Sequence, residues 1–184
     1  MIILDVNGLL LRRKPSPFQS SRLRSWFIDG HHVMLRPGLQ QFINFLLNGY
    51  RVAIWSSMLD EYLIPILRLV TRNIRIDLEK HLEFFYGRGW CYEDHEIQHP
   101  YEPEHGLFTK PFSFIDIEFD RDNTILIDET PEKARYNPPG TFVKAHGFEG
   151  DENDDFFERL KPFLWYLYWF PGCAADYVWS HDIV

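Results

Sequence analysis

Short apolar runs alternate with stretches of helical periodicity along this chain. The runs predict strands at residues 2–4, 50–55, 84–86, 124–127 and 141–144. Continuous hydrophobic runs of this kind are typical of strands that are buried in a parallel sheet. The first run is followed directly by Asp5, and Gly8 allows the backbone to turn sharply three residues later.

Apolar residues three and four positions apart predict helices between the strands. One helix lies between Pro37, which suits a first helical turn, and Gly49, which suits a C-terminal cap. Pro65 is expected to kink or divide the second helix, and a third covers about residues 156–168. Because strands and helices alternate without a repeat or a linker, we expect a single domain over residues 1–184. Its class is α/β, with a doubly wound, mostly parallel Rossmann-like sheet and helices on both faces.

Two stretches of the chain lack any period. Residues 12–33 are polar, basic and rich in turn formers, and we expect a loop or flap over the strand ends. Residues 87–109 are rich in Gly, Pro, His and Glu, and we expect a small irregular insertion there, with no large cap. Residues 95–99 read His-Glu-Ile-Gln-His, a zinc-protease pattern that requires a helix. Pro100 disfavours helical angles at the preceding residue, so a solvated loop is the favoured interpretation.

Composition narrows the classes of function. The 184 residues include 19 Lys and Arg against 27 Asp and Glu, and the net charge of −8 disfavours direct binding to nucleic acid. Two cysteines make neither a disulfide framework nor a metal quartet. No apolar run reaches the ~20 residues that a membrane span requires. We expect a nuclear or cytoplasmic protein, or a mitochondrial one if a leader precedes Met1.

Polar side chains follow the predicted strands at their carboxyl ends. Asp5, Ser56 and Asp128 each follow a strand, and Lys110 precedes the last of them. Such ends converge at one edge of a parallel sheet, where ligands bind. Two carboxylates suit Mg²⁺, and Asp5 can attack phosphorus to form an aspartyl phosphate while the metal and Lys110 neutralise the charge. Outside any family context, a helix cap is the favoured interpretation of Ser56, and a solvated loop residue that of Lys110.

Four motifs occur in the order found in one phosphatase family. They are Leu4-Asp5-Val6-Asn7-Gly8, Trp55-Ser56-Ser57, Lys110-Pro111 and Ile127-Asp128-Glu129-Thr130-Pro131. With these motifs the chain resembles the haloacid dehalogenase (HAD) superfamily, in the branch of NLI-interacting-factor and FCP-type C-terminal-domain phosphatases. Arg36-Pro37-Gly38 and the segment from Gly147 to Leu164 fit the same branch. The resemblance therefore covers nearly the whole chain.

The resemblance implies a Mg²⁺-dependent phosphatase that acts on phosphoserine or phosphothreonine in a protein or peptide. By resemblance, Asp5 is the nucleophile, and Asp5, Asp128 and the backbone carbonyl of Asn7 hold the metal ion. Asn7 and Lys110 are the other expected catalytic residues. The residues expected to bind the phosphorylated substrate are Ser56, Ser57, Arg88 and Lys110.

Asn7 departs from the pattern of active relatives. The family normally has an Asp two residues after the nucleophile, and this Asp protonates the leaving oxygen and later activates water. The amide of Asn7 cannot donate and recover a proton at neutral pH, and loss of general acid–base help costs ~10²–10⁴-fold in rate. Asp60 and Glu129 are candidates for the missing acid.

Two functions therefore stay open. The first is a HAD-type phosphoric monoester hydrolase, a protein phosphatase whose activity is weakened by Asn7. The second is a catalytically inactive, phosphatase-like module that binds a protein partner, for which the receptor of the mitochondrial inner-membrane translocase is a precedent in the family. Aromatic residues near the C-terminal end offer a docking surface, although packing against the core is the favoured interpretation. These residues are Trp165, Tyr168, Trp169 and Trp179.

Overall fold

The computed structural model describes residues 1–18, 22–100, 102–115 and 118–183. The strands are β1 (Ile2–Leu4), β2 (Leu11–Lys14), β3 (Ser25–Ile28), β4 (His31–Leu35), β5 (Val52–Trp55), β6 (Leu82–Tyr86), β7 (Tyr92–Gln98), β8 (Gly106–Thr109), β9 (Ile125–Asp128) and β10 (Phe142–Lys144). The α-helices are α1 (Leu39–Gly49), α2 (Asp60–Ile74), α3 (Leu78–His81), α4 (Phe156–Trp169) and α5 (Ala174–Ser180). Short 3₁₀ turns occupy Arg88–Trp90, Phe112–Phe114 and Pro131–Ala134.

The centre of the fold is a five-stranded sheet of the described residues, in the order β10-β9-β1-β5-β6, in which neighbouring strands are parallel. Within this sheet β1 is the middle strand, and Leu4 is in register with Ile54 of β5 and with Ile127 of β9. Strands β1, β5 and β9 are buried throughout, which is why their sequences are uninterrupted apolar runs. The predicted α/β fold with a parallel sheet is confirmed.

Alternate side chains of β1 contribute to two hydrophobic clusters. Ile2 and Leu4 belong to the larger cluster, which includes residues of α1, α2, α4 and α5. Ile3 belongs to a smaller cluster with Phe112 and Ala134 from two of the 3₁₀ turns. Because successive side chains of a strand point to opposite faces, apolar layers cover the sheet on both sides and hold its strand ends in place.

The helices agree with the predicted pattern in position but not in every detail. Helix α2 extends from Asp60 to Ile74, so Pro65 does not divide it. Helix α4 likewise contains Pro162 and is continuous through it. Helix α5 was not among the elements that the sequence pattern predicts. Among the described residues, no helix combines the length and the apolar character needed to cross a bilayer.

The polar stretch 12–33 is more regular than a loop. Strands β2, β4 and β3 form an antiparallel sheet, which corrects the prediction for the described residues of this stretch; residues 19–21 lie outside them. Asp29 and Gly30, with φ of 47° and 75°, connect β3 to β4. An Asp-Gly pair between two strands is a strong hairpin signal, so the sequence held the information for this connection.

The segment 87–109 also contains regular structure in place of the expected irregular insertion. Strands β7 and β8 form an antiparallel hairpin. Asp94 of β7 accepts hydrogen bonds from Arg135 at 2.8 Å and from the hydroxyl of Tyr136 at 2.9 Å. These partners are 41 and 42 residues away in sequence, so the local pattern carries no trace of them.

The C-terminal aromatic residues differ from the interpretation favoured by the sequence. They are exposed rather than packed against the core: Trp165 by 53%, Tyr168 by 49%, Trp169 by 65% and Trp179 by 77%. The buried face of α4 is supplied by other residues, namely Phe156, Phe157, Leu160, Phe163, Leu164 and Leu167.

Candidate active site

Two aspartates meet at the carboxyl edge of the central sheet. Asp5 follows β1 and Asp128 ends β9, and the parallel register that sets Leu4 opposite Ile127 brings the two aspartates side by side. The N–H of Asp5 donates to the carbonyl of Ile127 at 3.0 Å. The side chains are 2% and 0% exposed. Each buried carboxylate therefore needs a partner.

Lys110 connects the two aspartates. It follows β8 directly, and its ammonium donates to Oδ1 of Asp5 and to Oδ2 of Asp128, both at 2.6 Å. Its side chain is completely buried, so it is not a solvated loop lysine. The side-chain amide of Asn137 donates to the Lys110 carbonyl at 3.0 Å and helps to fix its position.

A second lysine, which the sequence reasoning missed, lies in the same cluster. Lys133 is on the 3₁₀ turn after β9; its Nζ donates to Oδ1 of Asp128 at 3.2 Å and lies 3.8 Å from Oδ2 of Asp5. Its backbone carbonyl accepts the N–H of Lys110 at 2.7 Å. The available signal was a lysine five residues after Asp128 in a turn at a strand end, but this spacing alone does not distinguish it from an exposed lysine.

Burial and charge act in opposite directions on this cluster. Burial favours a higher pKa for Asp128, but the ammonium groups of Lys110 and Lys133 outweigh it and hold that pKa below its usual value. Burial favours a lower pKa for Lys133, and the carboxylates of Asp128 and Asp5 reverse this effect and raise the pKa. Asp128 is therefore ionised and Lys133 protonated at neutral pH.

Asn7 is part of a tight turn after Asp5. Its Oδ1 accepts the N–H of Arg13 at 2.7 Å, and the N–H of Gly8 donates to the carbonyl of Leu11 at 2.7 Å. The side chain of Asn7 therefore helps to shape this loop. An aspartate at this position could accept the same hydrogen bond.

Glu129 lies against the same loop. A Cβ added at Gly8 would come within 2.0 Å of Oε2 of Glu129, and one added at Gly147 within 2.7 Å. Burial, and then the negative charge of Asp5, raise the pKa of Glu129. Asp60, the other candidate acid, is exposed at the start of α2. Of the two, Glu129 is the one beside the aspartate pair.

Gly8→Ala is expected to destabilise the fold by about 1–3 kcal/mol. Gly8 has a φ of 90°, which L side chains rarely adopt, and the added methyl group would collide with Glu129. The measurement is urea unfolding followed by circular dichroism. Gly30→Ala is the matched control, because Gly30 has a φ of 75° but an added Cβ would meet no atom within 4 Å. Equal losses in the two variants would show that the Glu129 contact has no effect.

The other predicted phosphate-binding residues have partners of their own. Ser56 is buried, and its Oγ accepts the N–H of Met58 at 3.2 Å, as in a local turn. The Ser57 carbonyl accepts Nε–H of Arg88 at 2.8 Å, and the Arg88 guanidinium binds Glu102 at 2.9 and 3.2 Å. None of these contacts joins the three residues to the aspartate pair.

Arg36 supports the loop after Asp5. Its guanidinium donates to the two carboxylate oxygens of Asp154 at 2.7 and 2.8 Å. It also donates to the carbonyls of Leu9 at 3.1 Å and His146 at 2.7 Å. The side chain has 0% exposure. Arg36 thus ties the first motif to the chain just before α4.

A cleft of about 520 Å³ opens beside Glu129 and Thr130. Basic side chains contribute to its wall, namely Arg12, Lys144, His146 and Arg159. The same wall includes Glu129 and Glu149, and Arg12 pairs with Glu149 at 2.9 Å, so the cleft carries charges of both signs.

The donor types at this edge of the sheet suit Mg²⁺, but their arrangement does not. The Asp5 and Asp128 carboxylates and the Asn7 carbonyl are oxygen ligands of the kind that Mg²⁺ binds at about 2.0–2.1 Å. The ammonium of Lys133 lies 3.8 Å from Oδ2 of Asp5 and 3.2 Å from Oδ1 of Asp128. An ion between the carboxylates would need these same two oxygens. The residues as arranged therefore do not fit Mg²⁺.

Other metal sites find no support in the described part of the chain. No group of three or more His, Cys, Asp or Glu side chains is placed there to hold a metal ion. The zinc-protease pattern at 95–99 begins on β7 instead of a helix, so its two histidines lack the helical spacing that the pattern requires.

A buried aspartate after the central strand of a parallel α/β sheet, with a lysine and a second aspartate beside it, is the arrangement that the resemblance to HAD-type phosphatases predicts. The family model of the NLI interacting factor-like phosphatases matches residues 1–173, and the chain belongs to this family. The predicted family is confirmed.

Solved structures of Fcp1 have a similar fold. The structure of Fcp1, an essential RNA polymerase II CTD phosphatase, gives a TM-score of 0.57 at 16% identity and covers 88% of this chain and 46% of that one. Fission yeast Fcp1 bound to beryllium fluoride gives a TM-score of 0.51 at 15% identity, covering 88% and 48%. The chain thus spans about half the length of either. None of the curated proteins compared with the chain matches it.

Proposed function

We propose that this chain acts on phosphoserine or phosphothreonine in a protein or peptide, and that Asp5 accepts the phosphoryl group. The observation that carries the proposal is the Lys110 ammonium, which lies 2.6 Å from an oxygen of each aspartate. It neutralises charge at the point where a phosphoryl group would meet Asp5. The cleft beside Glu129, whose wall includes Lys144 and Arg159, together with the described activity of Fcp1 as a CTD phosphatase, supports a phosphorylated protein as the substrate.

The proposed reaction has two steps. An Asp5 carboxylate oxygen attacks phosphorus, the new Asp–O–P bond forms, and the bond from phosphorus to the serine or threonine oxygen breaks. Water then hydrolyses the acyl phosphate, releases inorganic phosphate and regenerates Asp5. Both steps need proton transfer, and the Asn7 amide cannot provide it. We therefore propose slow turnover.

Two observations favour a second candidate, a phosphatase-like module that binds a protein partner without turning it over. Asn7 stands where active relatives have an acid, and its Oδ1 is engaged by the N–H of Arg13. The exposed aromatic residues of α4, such as Trp165 and Trp169, leave apolar surface for a partner. For either candidate, we also propose that the chain forms a single domain and has no direct nucleic-acid partner. We propose that it acts in the nucleus or cytoplasm.

Asn7→Asp is expected to raise phosphate release from a phosphoserine peptide by roughly 10²–10⁴-fold, because it restores a proton donor at that position. The new carboxylate can still accept the hydrogen bond from Arg13, so the turn should persist. Turnover is measured by phosphate release from the peptide and, in parallel, from p-nitrophenyl phosphate, whose good leaving group needs no acid in the first step.

Two further variants make this test specific. Asp5→Asn should abolish any activity of the natural chain, since it removes the nucleophile. Asn48→Asp, an exposed site on α1, adds the same charge elsewhere and should change nothing. If the natural chain and Asn7→Asp are both silent while the phosphopeptide still binds, the binding module is the correct function.

A further inference from the structure

We infer that the ammonium of Lys133 takes the place of the divalent cation in this site, so that the aspartate pair is neutralised by two lysines and binds no Mg²⁺. The inference concerns only the occupant of the space between Asp5 and Asp128. It holds whether the chain turns substrate over or only binds it.

The four carboxylate oxygens of the pair already face protein cations. Lys110 binds Oδ1 of Asp5 and Oδ2 of Asp128 at 2.6 Å. On the other side, Oδ1 of Asp128 accepts from Lys133 at 3.2 Å and from the N–H of Thr130 at 3.0 Å, and Oδ2 of Asp5 lies 3.8 Å from the same ammonium. The two lysines thus bracket the pair. Mg²⁺ at its usual distance of about 2 Å from both remaining oxygens would require Lys133 to leave.

Protein cations already offset the charge of the aspartate pair. As formal charges, the carboxylates of Asp5 and Asp128 are matched by the ammonium groups of Lys110 and Lys133, and Glu129 is one further acid beside them. A divalent cation added to these groups would leave a buried excess of positive charge, which is unfavourable away from water.

Lys133 is also held where it is. Its side chain is only 11% exposed. Its N–H donates to the carbonyl of Thr130 at 3.1 Å, and its carbonyl accepts the N–H of Lys110 at 2.7 Å. The backbones that carry the two lysines are therefore tied together. Displacing the ammonium of Lys133 would either leave this charge buried without its aspartate partners or force the 3₁₀ turn to move.

The consequence is that this site carries its positive charge permanently. A phosphate group that approaches Asp5 would meet the ammonium groups of Lys110 and Lys133 without first recruiting a metal ion. Binding of inorganic phosphate or a phosphopeptide is then expected to be insensitive to EDTA.

The test is Mg²⁺ binding to the folded chain, measured by isothermal titration calorimetry and by the shift of the thermal midpoint. The natural chain should show neither heat of binding nor a shift. Lys133→Met removes the charge while keeping an unbranched apolar stem, and it should bind Mg²⁺ at least about 100-fold more tightly, because a unit charge within ~4 Å strongly opposes a divalent cation. It should also gain thermal stability with Mg²⁺, as expected for a ligand that binds only the folded state.

Lys80→Met is the matched control, since the side chain of Lys80 is 77% exposed and pairs with Asp77 on the surface. It should behave as the natural chain does. Stoichiometric Mg²⁺ binding by the natural chain that disappears in Asp128→Asn would overturn the inference, and so would a Lys133→Met variant that folds and gains no affinity.

If Lys133→Met does not fold, electron paramagnetic resonance of Mn²⁺ with the natural chain decides. Bound Mn²⁺ lost in Asp128→Asn overturns the inference, and only free Mn²⁺ supports it. Phosphatase activity enters none of these readouts, so a silent chain would count against the proposed function alone.

Discussion

Lys110→Met is expected to lower the free energy of unfolding by about 3–5 kcal/mol, the usual cost of removing one partner from a buried ion pair. Lys110 is completely buried and binds both aspartates, so its loss leaves two buried carboxylates with one ammonium between them. Whole domains are stabilised by only about 5–15 kcal/mol. The variant should therefore unfold at a much lower urea concentration.

The effect of Lys110→Met should also depend on pH. In the natural chain the pKa of Asp128 is lowered. Its contribution to stability is therefore fully present above the unfolded pKa of about 3.9, and it is lost as pH falls through the folded value. In the variant, protonation relieves an unpaired carboxylate, so the variant should gain stability between pH 7 and pH 4, while the natural chain keeps the contribution of Asp128 over this range. The difference in unfolding free energy should be largest near pH 7 and should shrink toward pH 4.

Urea unfolding at the two pH values, followed by tryptophan fluorescence, measures both effects. Lys80→Met removes an exposed ion pair by the same chemical change and should cost less than about 1 kcal/mol. A loss for Lys110→Met no greater than that of Lys80→Met would show that the buried cluster does not stabilise the fold.

Arg36→Met is expected to cost about 3–5 kcal/mol as well, for a partly different reason. Its removal leaves the buried carboxylate of Asp154 without its bidentate partner and the carbonyls of Leu9 and His146 without donors. Arg36→Lys keeps the positive charge but not the planar guanidinium that binds both carboxylate oxygens of Asp154. It should therefore recover only part of the lost unfolding free energy.

The control for Arg36 is Arg159→Met, because Arg159 is 42% exposed and pairs with Asp155 on the surface of α4. Its effect should stay below about 1 kcal/mol. Thermal and urea unfolding of the three variants give the comparison. Full recovery by Arg36→Lys would mean that the charge alone matters and that the fork geometry does not.

The parts of the fold that the sequence predicts are those set by local pattern. Buried strands such as β1 and β9 are continuous apolar runs, so their positions and their polar ends could be recognised. The carboxyl-end rule then predicts that Asp5 and Asp128 lie at the same edge of the sheet. Ser56, at the end of β5, follows the same rule, although its hydroxyl serves a local turn.

The parts that the sequence does not predict depend on partners far along the chain. Strand β7 is polar because most of its side chains are exposed or half-buried, and its buried Asp94 binds Arg135 and Tyr136, which lie 41 and 42 residues later. Lys133 belongs to the cluster because its turn is tied to Lys110 by a backbone hydrogen bond. Neither contact produces a periodic pattern of apolar and polar residues in the sequence. The exposure of Trp165 likewise depends on what the rest of the fold leaves uncovered.

The central position of β1 has a consequence for the order in which this protein can fold. Asp5 and Lys110 are 105 positions apart in the sequence. The other neighbour of Asp5, Asp128, lies on β9, which pairs with β1 in parallel. During synthesis, a nascent chain exposes the acidic end of β1 long before either partner has emerged. Closure of so long a loop is slow, and the half-finished sheet has open edges that favour association with other chains. We therefore expect the chain to reach its native state only after β9 has left the ribosome.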